Sequence, residues 1–515
     1  MKAKYVISIY LFLLLLGLFP AGVATSDTAI KVTPIPTVCF TVNQVHLMGI
    51  QRIVNIEPRK VSEWRKKIEG QCVNKQGLLD YADAITSELV SAGYLTSYLY
   101  YPQQTFLLGI VRAEIVSGTV SSLTYQNENG ETQPLLYGFP VKVGDVLDLR
   151  RIEQGLYNLK NVSLLPYSIN LLRDDQTKNT TRIVVIGEHQ RAWQGVLSFQ
   201  PSTISNALMI GNPLLRNDFF YFNVSRYLND AERSHMKSIA LLYSLPYHYW
   251  LFSASGSYQQ HQMPITLYNI ELPMQQRSQM LLLQAEYILN RTKNTITSLG
   301  IGNEIQKIDT FISEQPIQTQ KRLANYIIGE LSHQVNFWRG QATFTLQYKQ
   351  GTDWFGTNSQ QITGLDKPQI FQLSVSSLWE RLPFYYQSEI NVQLSRSKLD
   401  ALLEQSSLIG TGGVSGFTGA SNVFETNDHH LKLSNELRWH TPWQQIQFYA
   451  SLGLGTTAND RATFWKDNLL AGGKVGIKGQ LGSLSYHFFI EAPFWQVGEF
   501  TTGPANTGME LSLRY

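Results

Sequence analysis

The chain has 515 residues, enough for two or three domains, and a net charge of +3 that gives nucleic acid nothing to hold. Charged residues make up only 16%, below the quarter usual in soluble domains, while aromatic residues reach 12%. That balance suits half-buried strands and the aromatic girdles of membrane barrels.

Residues 1–24 read as a secretory signal: Lys2 and Lys4, an apolar core from Tyr5 to Phe19, and small residues Gly22 and Ala24 before cleavage. The competing reading, an uncleaved anchor, is disfavoured because Pro20 and Gly22 interrupt the run. No later run of about 18 apolar residues offers a transmembrane helix. Residues 25–37, with Pro34 and Pro36, read as a short extended leader, too little chain to place a plug helix in a pore and return. Export puts Cys39 and Cys72 in an oxidising compartment, where two lone thiols are most simply one disulfide.

A compact α+β unit follows over 38–118. Cys39–Leu47 alternates as a strand, Val61–Glu69 suits a short helix, and Leu78, Tyr81, Ala82, Ile85 and Leu89 recur at helical spacing before Gly93. Tyr94–Tyr101 and Leu108–Val116 close the unit as strands. The order then repeats over 119–190. Val120–Gln126 is a strand, Asp148 caps a helix carrying Leu149, Ile152, Leu156 and Leu159, and Tyr167–Leu172 and Arg182–Ile186 are strands.

From 191 to 515 the period is two. Leu484, Tyr486, Phe488 and Ile490 alternate with polar residues, as do Met509, Leu511 and Leu513 in the last strand. Side chains of a strand point alternately to its two faces, so each run has a greasy and a wet side. Sixteen such segments, among them 193–201, 248–261, 276–288, 446–457 and 506–515, fit a closed antiparallel barrel with lipid outside and water within. One connection, about 397–427, is too long and too patterned for a plain turn: it holds Gly410-Thr411-Gly412-Gly413-Val414-Ser415-Gly416-Phe417.

These residues resemble a known family, the outer-membrane transporters of two-partner secretion, of the haemolysin secretion and activation type. Cys39-Phe40-Thr41-Val42-Asn43 resembles the opening strand of its polypeptide-transport-associated (POTRA) domains, and Gly93-Tyr94-Leu95-Thr96 their "GYxT" turn. Ile152-Glu153-Gln154-Gly155-Leu156, Gly211-Asn212-Pro213-Leu214 and Leu470-Ala471-Gly472-Gly473 resemble the second domain's helix and barrel hairpins. The resemblance implies two periplasmic POTRA domains and a sixteen-stranded barrel in a bacterial outer membrane, with the long loop folded into the lumen. It also implies two departures. Where the family has Val-Arg-Gly-Phe at the loop tip, this chain reads Val414-Ser415-Gly416-Phe417. Where the family has an inward Asp on the thirteenth strand, this chain reads Tyr449-Ala450-Ser451-Leu452-Gly453. Alternation puts Tyr449, Ser451 and Gly453 on one face, so both halves of a charged pair are replaced by hydroxyls and a Ser415–Ser451 contact is expected.

Enzymatic readings fare badly. Gly413–Phe417 misses a nucleophile elbow because Phe417 sits where a Gly is needed, and no helix follows to aim at phosphate. Asp428-His429-His430 lie adjacent on a strand, so they point to opposite faces rather than to one metal. Two function classes stay open: a channel secreting an unfolded partner, and an assembly or insertion factor of the same superfamily. On the first reading no cofactor is needed. The partner implied is a secreted exoprotein with an N-terminal secretion domain, a β-helical adhesin or haemolysin, handled by a monomeric barrel in outer-membrane lipid. Tyr98, Tyr100, Val111, Ile115, Ile152 and Leu156 are the candidates for a groove to which an extended partner adds a strand.

Overall fold

The structure is a computed structural model. It describes residues 39–515 apart from 55, 107, 128, 135–137, 163, 165, 188–191, 230–233, 268, 293, 359–361, 409–412, 418–426, 444, 461–462, 464–467 and 498–504. The expected signal and leader, and the expectation of no plug helix, lie outside these residues.

The first domain is a three-stranded sheet in the order Gln44–Met48, Ile110–Val116, Tyr98–Tyr100, with helices α1 (Pro58–Lys66) and α2 (Lys75–Ser91) packed on it. Helix α2 begins where the Asn74 side chain accepts a hydrogen bond from the Gly77 N–H at 2.8 Å. Its buried stripe is Leu78, Tyr81, Ala82, Ile85 and Leu89, the i, i+3, i+4 spacing of one helical face. It ends at Gly93, whose φ of 99° lets the Tyr94 N–H return to the Leu89 carbonyl.

Two expected strands are shorter than read. Cys39–Leu47 divides into Phe40–Thr41 and Gln44–Met48, because the Val42 N–H turns to Gln71 and the Asn43 N–H to Gly109. Tyr94–Tyr101 retains only Tyr98–Tyr100, because the Ser97 N–H closes a turn on Tyr94. Cys39 and Cys72 form a disulfide that staples Phe40–Thr41 to Cys72–Val73.

The second domain repeats the pairing of the first: an opening strand, Thr119–Gln126, runs parallel to the closing strand Thr180–Ile186, which pairs antiparallel with Ser168–Arg173. The first domain does the same with Gln44–Met48, Ile110–Val116 and Tyr98–Tyr100. The repeat is incomplete. Among the described residues a single helix, α3 (Leu149–Val162), covers this sheet, and a short strand, Thr132–Pro134, stands before it. Asp148 caps α3 by accepting the Arg150 N–H at 3.0 Å. The two domains meet at the same point: the Leu149 N–H donates to Gly93, and Arg150 Nη2 to the buried Tyr94 hydroxyl.

The barrel closes with sixteen long antiparallel strands, from Ala192–Gln200 to Asn506–Arg514. A two-residue segment, Gln315–Pro316, pairs only with the end of the seventh strand and prolongs its turn. The seam joins Val196–Phe199 to Leu511–Arg514. Outward residues such as Leu283, Leu299, Ile301, Phe344, Leu452 and Ile490 are exposed and apolar, as a surface facing hydrocarbon must be. Exposed Trp193, Tyr247, Trp250, Trp338, Trp379, Trp439 and Trp443 cluster at the barrel end that faces the second domain, an interfacial girdle. No helix among the described residues is long and apolar enough to cross a membrane.

The fifth and sixth strands, Trp250–Leu267 and Ile270–Arg291, run well past the expected 248–261 and 276–288. Their extension pairs Pro264–Leu267 with Ile270–Pro273. Strand beyond the hydrocarbon needs no apolar face, so its sequence carries no alternation to detect.

The disulfide closes a separation of 33 residues. On chain-entropy grounds it stabilises the first domain by about 3–4 kcal/mol. Replacing Cys39 and Cys72 by Ala should therefore speed amide exchange across residues 40–118 and leave the barrel strands protected. Unchanged exchange in the first domain would remove this role.

Candidate functional site

The long connection between Phe384–Ser395 and His429–His440 returns to the wall of the barrel. Its base is tied by Asp428, which accepts the Leu399 N–H at 3.1 Å and the Gln405 amide at 2.7 Å, and by His429 Nδ1, which accepts the Ser395 N–H. These contacts account for the Asp428-His429 pair without a metal, and no metal-ligand cluster occurs among the described residues.

At the tip, Val414 and Phe417 are fully buried and form a small apolar cluster with Leu408 and with Leu470 of the fourteenth strand. The Phe417 N–H closes a turn on the Val414 carbonyl, and Gly416 takes φ 93°. The tip lies on the face of the thirteenth strand, Ile446–Ala458, that carries Tyr449, Ser451 and Gly453, opposite the exposed Phe448 and Leu452. Ser415 Oγ is 2.9 Å from Ser451 Oγ. A Cβ on Gly453 would come within 2.6 Å of the Ser415 nitrogen, and one on Gly472 within 2.3 Å of the Ser415 oxygen. A Cβ on Gly455 would strike Val414, and one on Gly416 the Ala492 carbonyl.

The tip thus sits backbone against backbone in a seat of glycines. The sequence reading quoted Gly472 only as part of a hairpin and missed Gly455 and Ala492. The signal for Gly455 is the shrinking of side chains along one face, Tyr449, Ser451, Gly453, Gly455. Tyr449 marks the edge of the seat, where its hydroxyl pairs with His487 Nε2 at 2.7 Å.

The residues proposed for partner capture divide. Val111, Ile115 and Ile152 are 0%, 2% and 2% exposed and belong to the two domain cores, so they are corrected to packing residues. Leu108–Val116 is likewise no edge: its strand, Ile110–Val116, is the middle of the sheet. Leu156 packs on the second core, half-buried. Tyr98 and Tyr100 are exposed on an edge strand.

Of the four edges of the two larger sheets, one sheet in each domain, three are obstructed. Glu69 Oε1 takes the Val45 N–H at 2.8 Å, Thr86 Oγ1 takes the Leu99 N–H at 3.1 Å, and the third edge strand is three residues long and ends in Pro134. Ser168–Arg173 is the fourth edge. The Asp174 N–H bonds the Thr180 carbonyl, so by the alternation of antiparallel ladders Ile169, Leu171 and Arg173 present their N–H groups outward. None of these has a partner among the described residues.

The second domain is seated on three turns at one end of the barrel. Tyr125 donates to Asn217 Oδ1 at 2.8 Å, Asn158 to the His248 carbonyl at 2.7 Å, and Arg291 to Gln154 Oε1 at 2.9 Å with its guanidinium over the Tyr157 ring. The open edge is therefore carried by the domain fixed to the barrel.

Gly453→Ala should displace the loop tip, since the new methyl meets main chain that cannot step aside; overpacking of this kind costs about 1–3 kcal/mol. Limited proteolysis of the folded protein should then cut within 409–420 faster than in the parent. Equal cleavage would mean that the glycine seat does not hold the tip.

Three family models match the chain in order. A ShlB-type POTRA domain covers residues 40–118, a POTRA domain covers 119–172, and the haemolysin secretion/activation protein ShlB/FhaC/HecB covers 181–479. The outer membrane transporter CdiB-2 of Burkholderia pseudomallei (strain 1026b) is 23% identical over 483 residues, covering 88% of this chain and 80% of the relative. The hemolysin transporter protein ShlB of Serratia marcescens is 20% identical over 344 residues, covering 64% and 59%. The solved structure of CdiB from Escherichia coli superposes with a TM-score of 0.83 at 20% identity, covering 97% of this chain and 94% of that one. CdiB from Acinetobacter baumannii gives 0.75 at 18% identity, covering 99% and 97%. With its main family model spanning more than half of its length, the chain belongs to the haemolysin secretion/activation protein family ShlB/FhaC/HecB.

Proposed function

We propose that this protein is a bacterial outer-membrane channel of two-partner secretion, which takes an unfolded exported partner from the periplasm and passes it through the barrel to the cell surface. The observation that carries the reading is the fixed seat of a POTRA domain with one open sheet edge on the turns of a closed barrel. An extended partner segment adds to Ser168–Arg173 through main-chain hydrogen bonds, which demand little of its sequence. Its alternate side chains fall beside Ile169, Leu171 and Leu156, which favours apolar residues at every second position. The partner is an exoprotein with an N-terminal secretion domain; the name of one relative, a hemolysin transporter protein, speaks for a haemolysin-like client. The barrel acts as a monomer in outer-membrane lipid and needs no cofactor, and folding of the client outside supplies direction.

On this reading the long loop lies in the lumen and closes it at rest. The Ser415–Ser451 contact is a neutral hydrogen bond worth about 1 kcal/mol, a weak closure suited to displacement by an entering chain.

Two outcomes test these roles in cells that make the cognate partner. Ser415→Arg should cut secretion by about tenfold or more, because the cation is stranded in the glycine seat, and Ser451→Asp on that background should restore much of the loss. If the double change is as damaging as the single one, the two positions do not work as partners. Arg173→Pro removes an outward N–H without touching the internal ladder, so secretion should fall while heat-modifiable barrel migration is unchanged. Parental secretion from Arg173→Pro would place capture elsewhere.

A further inference from the structure

The outer wall of the barrel is apolar, as hydrocarbon requires, but on five neighbouring strands it is neither flat nor uncharged. These are the third to the seventh, Phe219–Asn229, Ser234–Tyr247, Trp250–Leu267, Ile270–Arg291 and Thr295–Ile312. In their register Leu241, Gly256, Leu281 and Ile305 stand side by side on the outward face. Leu241 and Leu281 are 43% and 44% exposed, and Gly256 between them carries no side chain. A Cβ on Gly256 would meet only the Met280 carbonyl, at 3.6 Å. The result is a groove of about 450 Å³ lined by Ile239, Leu241, Leu281, Ile305 and Leu323. Its two leucine walls are two strand spacings apart, about 10 Å, which leaves room for extended hydrocarbon chains.

Four residues further along these strands the outward row changes character. Arg226, Lys237, Gln260 and Arg277 stand side by side there, and the three cations are exposed. Arg226 and Lys237 are directly opposed, a like-charge pairing that destabilises a bare sheet. Arg277 donates to the neutral Gln275 side-chain oxygen at 3.1 Å and lies over the Phe311 ring. Lys307, at the rim of the groove, pairs with Asp309 at 3.1 Å. A further outward carboxylate, Glu271, lies about 20 Å beyond Arg277 along the same strand.

The height of this row follows from the aromatic girdle. Trp250 belongs to the girdle at the end that faces the second domain, and Gln260 stands about ten residues on in the same strand. Strand rise and barrel tilt convert that to about 25 Å, the height of the apolar band. The cations therefore stand at the opposite interface, level with the headgroups of the outer leaflet. The groove lies below them, at the depth of acyl chains.

We propose that this face is a binding site for a phosphorylated lipid of the outer leaflet, with acyl chains in the groove over Gly256 and phosphates on Arg226, Lys237 and Arg277. Guanidinium groups hold phosphate through paired N–H donors, and an anion there removes the repulsion between Arg226 and Lys237. The apolar groove selects a lipid over a soluble phosphate. The site is on the outside of the wall and does not depend on what passes through the lumen.

The test uses the full-length protein in detergent micelles, with native mass spectrometry reading the bound molecule. The probes are bisphosphorylated lipid A, the same lipid with its phosphates removed, and inorganic phosphate. The parent should bind the phosphorylated lipid saturably, at least about tenfold tighter than the dephosphorylated one, and form no adduct with inorganic phosphate. Arg226→Gln/Lys237→Gln/Arg277→Gln should abolish that preference and leave affinity for the dephosphorylated lipid within about twofold. Gly256→Leu, which fills the groove, should instead weaken both lipids by about fivefold or more. Arg396→Gln, which removes an exposed cation over Phe371 elsewhere on the wall, should change neither.

Heat-modifiable migration reports that each barrel is folded. The triple change alters only exposed side chains, so it decides the headgroup assignment even where Gly256→Leu does not fold. Equal binding of the two lipids by the parent, a preference that survives the triple change, or undiminished binding in folded Gly256→Leu overturns the site. Loss of the preference in Arg396→Gln would mean diffuse attraction to the whole wall, and an adduct with inorganic phosphate an anion site without a lipid; either result overturns it too.

Discussion

The contact on which the rest depends is the approach of two main chains, Ser415–Gly416 of the long loop and Gly453 and Gly472 of the wall. Side chains of ordinary size on the wall would hold the loop several ångströms away. Glycine at these positions lets the tip bury Val414 and Phe417 against Leu470, a small apolar core between loop and wall. A packed cluster of a few residues in a wet surrounding is marginal by its nature.

The periplasmic half meets the barrel by a line of specific contacts rather than by a broad apolar interface. Gly93 and Tyr94 of the first domain hold the start of α3 in the second, and α3 in turn supplies Gln154, Tyr157 and Asn158 to the barrel turns. One helix thus links both junctions. Its apolar stripe belongs to the domain core, and its polar residues do the joining. Gly93 serves twice, ending α2 with a positive φ and lending its carbonyl to the Leu149 N–H.

The obstructed sheet edges have a physical logic of their own. An unpaired strand edge invites any extended chain, so a protein that handles unfolded clients risks pairing in the wrong place. Glu69, Thr86 and Pro134 close three edges by different means and leave one, Ser168–Arg173, on the domain seated on the barrel. Closure by a single carboxylate or hydroxyl needs no extra secondary structure and leaves the core pattern untouched, which is why periodicity alone did not reveal it.

By itself the sequence determined the architecture. A period of two sustained from Trp193 to Tyr515 admits a closed barrel, because each strand must show one face to hydrocarbon, and sixteen such segments became sixteen strands. The helical stripe at Leu78–Leu89 and the cap at Asp148 were legible for the same reason, since local propensity and core pattern agree there. The tertiary structure alone decided which residues touch. Val111 and Ile115 read as groove candidates until the sheet order put their strand in the middle, and the Arg322–Asp400 pair joins residues 78 apart whose charges carry no periodic signal. Alternation encodes which face a residue occupies; it does not encode where along the tube a loop comes to rest, because that is set by close packing between segments distant in the chain.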